Sequence, residues 1–80
     1  MPGLLPRLDR VLKDVREELI SAVQYHSSFH SRHEGYSVIL EELDELWTDI
    51  KANNHGPDRR EAIQVAAMAI RYVLDIHEPD

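Results

Sequence analysis

Residues 31–52 read SRHEGYSVILEELDELWTDIKA, and two patterns in that stretch decide the fold. Ser31-Arg32-His33-Glu34 has the S-x-x-E form of a capping box, in which a hydroxyl and a carboxylate satisfy backbone N–H groups left open at a helix start. Behind it Tyr36, Ile39, Leu40, Leu43, Leu46, Trp47 and Ile50 fall in a stripe about 120° wide at the ~100° per residue of an α-helix. The spacing predicts a helix from about Arg32 to about Ala52, stopped by the breaker-rich Asn53-Asn54-His55-Gly56-Pro57. Tyr36 and Trp47 could stack on a base, but both lie in the apolar stripe and are expected in the core.

Working outward, Leu5, Leu8, Val11, Leu12, Val15, Leu19, Ala22 and Val23 repeat at helical spacing and predict a first helix from about Leu5 to the mid-twenties. Its charges alternate in sign one turn apart, as in Asp9 with Lys13, Arg10 with Asp14 and Lys13 with Glu17. That is the pattern of a solvated, salt-bridged face, and no chemistry is assigned to it. On the other side Asp58-Arg59-Arg60-Glu61 reads as a second capping box, opening a third helix that reaches about Ile76. From Ala62 to Ile70 this helix is apolar except for Gln64, so it needs cover on several sides, more than two helices of one chain supply. No sheet signal, internal repeat or low-complexity tract is present. The expected fold is an all-α, three-helix chain, a single domain over residues 1–80, completing its core as an oligomeric helical bundle.

Composition narrows the function. Eighty residues hold one small domain, and 42% hydrophobic with 30% charged residues is a globular balance. Nine Lys and Arg against fifteen Asp and Glu leave a formal charge of −6, a field that opposes binding of duplex nucleic acid. The absence of Cys excludes disulfides, thiolate zinc sites and a cysteine nucleophile. The longest apolar run, Val65 to Ile70, is too short for a membrane span, and the first residues lack a secretory signal, so the expected compartment is the cytoplasm.

The unusual feature is the polar side of the second helix. Glu41, Glu42, Asp44, Glu45 and Asp49 follow one another with no basic residue until Lys51, and Glu34 lies upstream on the same side. Like charges one turn apart, such as Glu41 with Glu45, cost an isolated helix roughly 0.2–0.5 kcal/mol per pair. Taken by itself, this run is better explained by a solvated acidic face than by a site. The third helix adds Glu61 and Gln64 at i, i+3 on an otherwise apolar surface. Two antiparallel helices, one offering Glu42 and Glu45 and the other Glu61 and Gln64, would converge four oxygen-bearing side chains, the donor set of Mg²⁺ or Mn²⁺. For Glu61 the capping box is an equally good explanation.

Glu41-Glu42-Leu43-Asp44-Glu45, followed after fifteen residues by Glu61-Ala62-Ile63-Gln64, resembles the E-E-x-x-E…E-x-x-D signature of the MazG-like all-α nucleoside triphosphate pyrophosphohydrolases. His33-Glu34-Gly35-Tyr36 and the run Glu61 to Ala69 are similar to small members of that group, and the resemblance extends from about Phe29 to Asp75. It implies Mg²⁺, with Mn²⁺ as a substitute, held by Glu42, Glu45 and Glu61, and a nucleoside triphosphate cut to monophosphate and pyrophosphate. Glu41 becomes the candidate group for activating water. Gln64 stands where the family has Asp; its amide can offer an oxygen but neither charge nor a base. The rival expectation is a non-catalytic helical interaction module that kept the scaffold and lost the metal chemistry at Gln64.

Other candidates are weaker. His26, His30 and His33 would share one side of a continuous helix, but the serines around them and the cap at Ser31 break it, which leaves loop or pocket-edge histidines. Among these His33 is the candidate substrate contact. Arg71, one to two turns beyond Gln64, could neutralise phosphate or pair with Asp75 at i, i+4. No Gly-rich phosphate loop, Ser/His/Asp set or basic aromatic stripe is present.

Overall fold

The computed structural model describes residues 3–52 and 57–80. Helix α1 spans Leu4–Tyr25, α2 spans Arg32–Lys51 and α3 spans Pro57–Tyr72, and α3 continues as a wider π-helical turn over Val73–His77. No strand occurs among the described residues, and none of their helices is long and apolar enough to cross a membrane. The cap at Ser31 forms as its sequence dictates: the Ser31 hydroxyl accepts from the Glu34 N–H at 3.0 Å. Glu34 reaches back one residue further than the usual box, its carboxylate accepting from the His30 N–H at 3.1 Å.

The third helix departs from expectation at its start, and its helical course ends at His77, close to the expected Ile76. It begins at Pro57, a residue type favoured at first helical positions. Asp58 therefore lies inside the first turn, where its charge meets the positive end of the helix dipole, instead of capping it. The breaker stretch 53–56 lies outside the described residues. At the far end the Glu78 N–H donates to the Val73 carbonyl at 3.0 Å, five residues back, which widens the last turn.

Helix α3 lies in the middle, packed on α2 along one side and on α1 along the other, while α1 and α2 scarcely touch. Arg59 pairs with Asp14 at 2.8 Å near the start of α3, and Arg71 reaches Ala22 near its end, so α1 and α3 run parallel. Helix α2 runs opposite to α3, bringing Gly35 against Tyr72. Gly35 is needed there: a Cβ would sit 2.5 Å from a Tyr72 ring carbon and 3.1 Å from the Phe29 ring.

Arg71 ties these elements together. It is 2% exposed, and four of the five N–H donors of its guanidinium are engaged. Two go at 2.7 Å to the carbonyls of His26 and Ser27, one to the Ala22 carbonyl and one to Asp75, both at 3.3 Å. The guanidinium thus satisfies carbonyls at the C-terminus of α1, which carries no basic residue in its own last turn. Asp75 also accepts from the Phe29 N–H at 2.9 Å, which fixes the α1–α2 connection over the α3 end.

The core is small. Val15, Ala22, Phe29, Ala67 and Met68 are buried, with Leu19, Val38, Ile39 and Ile63 packed around them, and among the described residues no large side chain is fully enclosed. Against expectation Tyr36 and Trp47 are 62% and 56% exposed. One neighbouring helix covers only part of a 120° stripe, and α3 takes the edge carrying Val38 and Ile39. The need for cover accordingly falls less on α3, flanked on two sides, than on the outward faces of α1 and α2.

Candidate metal centre

Packing of α2 on α3 brings Glu42 and Glu45, one turn apart on α2, toward that helix, with Glu45 at the exposed edge. Antiparallel packing brings Glu61 and Gln64, one turn apart on α3, to the same level. Carboxylate oxygens of Glu42, Glu45 and Glu61 lie within 4.8 Å of one another. Glu42 and Glu61 are half-buried, and Glu45 stands at the exposed edge.

Such crowding disfavours the charged forms of these acids. The Glu42 carboxyl is pushed up from 4.5 to about 7, first by burial and then by the charges of Glu45, Glu61, Glu18 and Glu41. Glu61 is also raised, by burial, then by its hydrogen bond to Glu45 and the charges of Glu45 and Asp49, with Arg60 opposing. Gln64 completes the arrangement. With its amide nitrogen turned inward, as the surrounding acceptors demand, it donates to Glu61 Oε2 at 2.8 Å and Glu42 Oε2 at 2.9 Å.

A divalent cation would supply the same compensation more strongly. Around a hard cation with ligands at ~2.1 Å, oxygens sit ~3–4 Å apart, so the three carboxylates need only a small inward movement. Turning the Gln64 amide over would present its oxygen as a fourth donor. The donor set, all oxygen and mostly charged, suits Mg²⁺ or Mn²⁺ and not a soft metal.

The cluster borders a cavity of about 470 Å³ in the cleft between α1 and α2, floored by α3. Glu42 and Gln64 line both cluster and cavity, and Glu41 stands in the cavity wall. Glu18 of α1 lines it too, so the helix read as chemically silent contributes a carboxylate. Its signal was faint but present: Asp14 and Ala22 flank Glu18 at one turn, so it has no opposite charge along its own helix. The apolar lining comes from Val38, Met68, Phe29 and Tyr25.

Two candidate substrate contacts are placed differently. Arg71 lines the cavity, yet its hydrogen bonds go to backbone carbonyls and Asp75, the ion pair that the i, i+4 spacing anticipates. His33 is apart from the carboxylates, in a shallow depression with Arg32, Tyr36 and Tyr72. His26 lies just past the end of α1 at the cavity edge, and His30 is exposed in the connection, as loop histidines.

Fold and site together define an all-α chain with a carboxylate cluster at the mouth of an interhelical cleft. No protein-family model, curated protein or solved structure matches it.

Proposed function

We propose that this chain is a divalent-cation-dependent nucleoside triphosphate pyrophosphohydrolase of the MazG-like kind, forming monophosphate and pyrophosphate, and acting in the cytoplasm as a homodimer or higher homo-oligomer. The observation that carries the reading is the convergence of Glu42, Glu45 and Glu61 within 4.8 Å beside a cavity of about 470 Å³. Glu42, Glu45, Glu61 and the Gln64 amide oxygen would hold Mg²⁺, which supplies neutralisation of triphosphate charge when bound. Glu41, in the cavity wall and outside the close cluster, is free to accept the proton of the attacking water. Val38, Met68 and Tyr25 offer apolar surface for a base, and the buried charge of Arg71 makes that end of the cavity less negative.

One observation favours a second reading. Gln64 bridges Glu42 and Glu61 as a donor, which stabilises the cluster with no cation. A non-catalytic interaction module would keep that bridge as structure. The discriminating experiment measures pyrophosphate release from a nucleotide panel, with Mg²⁺ and with Mn²⁺, for wild type, Glu61→Ala and Gln64→Asp, alongside Mn²⁺ binding by electron paramagnetic resonance. The enzymatic reading expects product from wild type or Gln64→Asp and none from Glu61→Ala. Bound Mn²⁺ absent from both active candidates, with no product, leaves the interaction module.

A further inference from the structure

Glu18 is a carboxylate of the cavity that the proposed chemistry leaves unused. Glu42 belongs to the cluster, Glu41 stands where water would be activated, and Glu34 accepts from the His30 N–H. Glu18 is half-buried, and among the described residues the hydrogen bonds accepted by other carboxylates go to Asp14, Glu34 and Asp75, none to Glu18. It forms no ion pair there either. An ionised carboxylate only accepts, so this one offers two oxygens to the cavity with no protein donor.

Its level along the cavity is fixed by the parallel packing of α1 and α3. Asp14 meets Arg59, so Glu18, one turn on, stands level with Ile63 and Gln64, and it shares a side groove with Ile63. From that level the α1 wall advances from Glu18 through Ser21 to Tyr25, and the α3 floor from Gln64 through Met68 to Arg71. Both rows cover ~10 Å at ~1.5 Å per residue. The carboxylates of the cluster stand at one end of this length, and the apolar lining of Met68, Val38, Phe29 and Tyr25 lies beyond the first turn. A nucleotide whose phosphates meet the cation and whose base takes the apolar end therefore sets its sugar beside Glu18 and Ser21. Glu18 is not among the carboxylates gathered within 4.8 Å, so a cation held there does not engage it.

We propose that Glu18 is a specificity-determining residue that accepts hydrogen bonds from the 2′ and 3′ hydroxyls of a ribose, so that the cavity takes ribonucleoside triphosphates in preference to their 2′-deoxy counterparts. The inference rests on the nucleotide reading of the site. Two adjacent hydroxyls match the two oxygens of one carboxylate, and they bring donors without adding negative charge to an acidic cleft. A 2′-deoxy sugar leaves one of those oxygens confined with no donor, which is the costly half of the exchange.

The test measures binding to the full chain by calorimetry in Mg²⁺. The probes are inorganic tripolyphosphate and the uncleavable α,β-imido triphosphates of adenosine and uridine, each nucleoside as its ribo and 2′-deoxy form. Wild type is expected to bind the ribo forms at least ~10-fold more tightly than the 2′-deoxy forms, the worth of a hydrogen bond to a charged group. Glu18→Ala is expected to bring that ratio close to one. Because Glu18 also acts on Glu42 through its charge, the variant can shift the affinity for every probe, but a change in the field alone moves both sugars equally and leaves the ratio intact. Binding by wild type with no preference between the sugars, or a preference that survives in Glu18→Ala, overturns this inference and leaves the nucleotide reading standing. Binding of none of the probes overturns both.

Discussion

Raising the pH from about 5 to about 8 without divalent cations will destabilise this fold, and Glu42 sets the size of the effect. Its carboxyl is held at about 7 in the folded chain against 4.5 without the fold. Below 4.5 both states keep the proton and the stabilisation is complete. Between those values the unfolded chain ionises freely while the folded one resists, so stability falls as pH rises, and above about 7 the loss is complete. At ~1.36 kcal/mol per pH unit the span caps the effect near 3 kcal/mol, and solvent screening of a half-buried group reduces it to ~1–2 kcal/mol. That is a sizeable part of the ~4–12 kcal/mol expected of a chain this long. Urea unfolding at both pH values, for wild type and Glu42→Gln, isolates the effect because the variant carries every other titrating group. Wild type is expected to lose ~1–2 kcal/mol more than the variant. Saturating Mn²⁺ should reverse the sign, since the cation competes with the proton and is favoured as pH rises. Parallel pH profiles for the two proteins in chelator would refute the reasoning.

The remaining predictions address other parts of the molecule. Arg71→Met keeps the stem but leaves the His26 and Ser27 carbonyls without their donor and Asp75 with the Phe29 N–H but no countercharge, and it should cost ~3–5 kcal/mol in denaturant unfolding. A loss below ~1 kcal/mol would show that solvent serves those groups equally well. Gly35→Ala should destabilise by ~1–3 kcal/mol despite its better helix propensity, because the new Cβ meets Tyr72 at 2.5 Å; a rise in melting temperature would mean that the ring yields freely. Gln64→Asp exchanges two donated hydrogen bonds for a further negative charge. It should lower the melting temperature in chelator and tighten Mn²⁺ binding at least ~10-fold; unchanged Mn²⁺ affinity would place position 64 outside the coordination.

Much of the fold was legible because it rests on local chemistry. The Ser31 cap announced α2 to the residue, and apolar spacing located α1 within one residue of its observed start. The cluster was legible too: the 3.6-residue period places Glu42 with Glu45, and Glu61 with Gln64, and antiparallel neighbours leave few ways to arrange two such pairs. What escaped was anything that depends on which helix neighbours which. Tyr36 and Trp47 sat in an apolar stripe, and a stripe records only that a surface seeks cover, not whether the same chain provides it. Glu18 gave a faint local signal, but its role arises because α1 and α2 straddle α3 and enclose a cleft.

Helix positions, capping and the pairing of acids on each helix face were therefore determined by the sequence alone, since they depend on interactions a few residues apart. Only the tertiary structure decided that α3 would be central, that Arg71 would spend its charge on the end of α1, and that one face of α2 would remain open. Those outcomes turn on contacts between residues more than forty apart, such as Arg71 with Ala22 and Phe29 with Asp75. Their energies depend on burial, and burial is a property of the packed chain that no periodicity encodes.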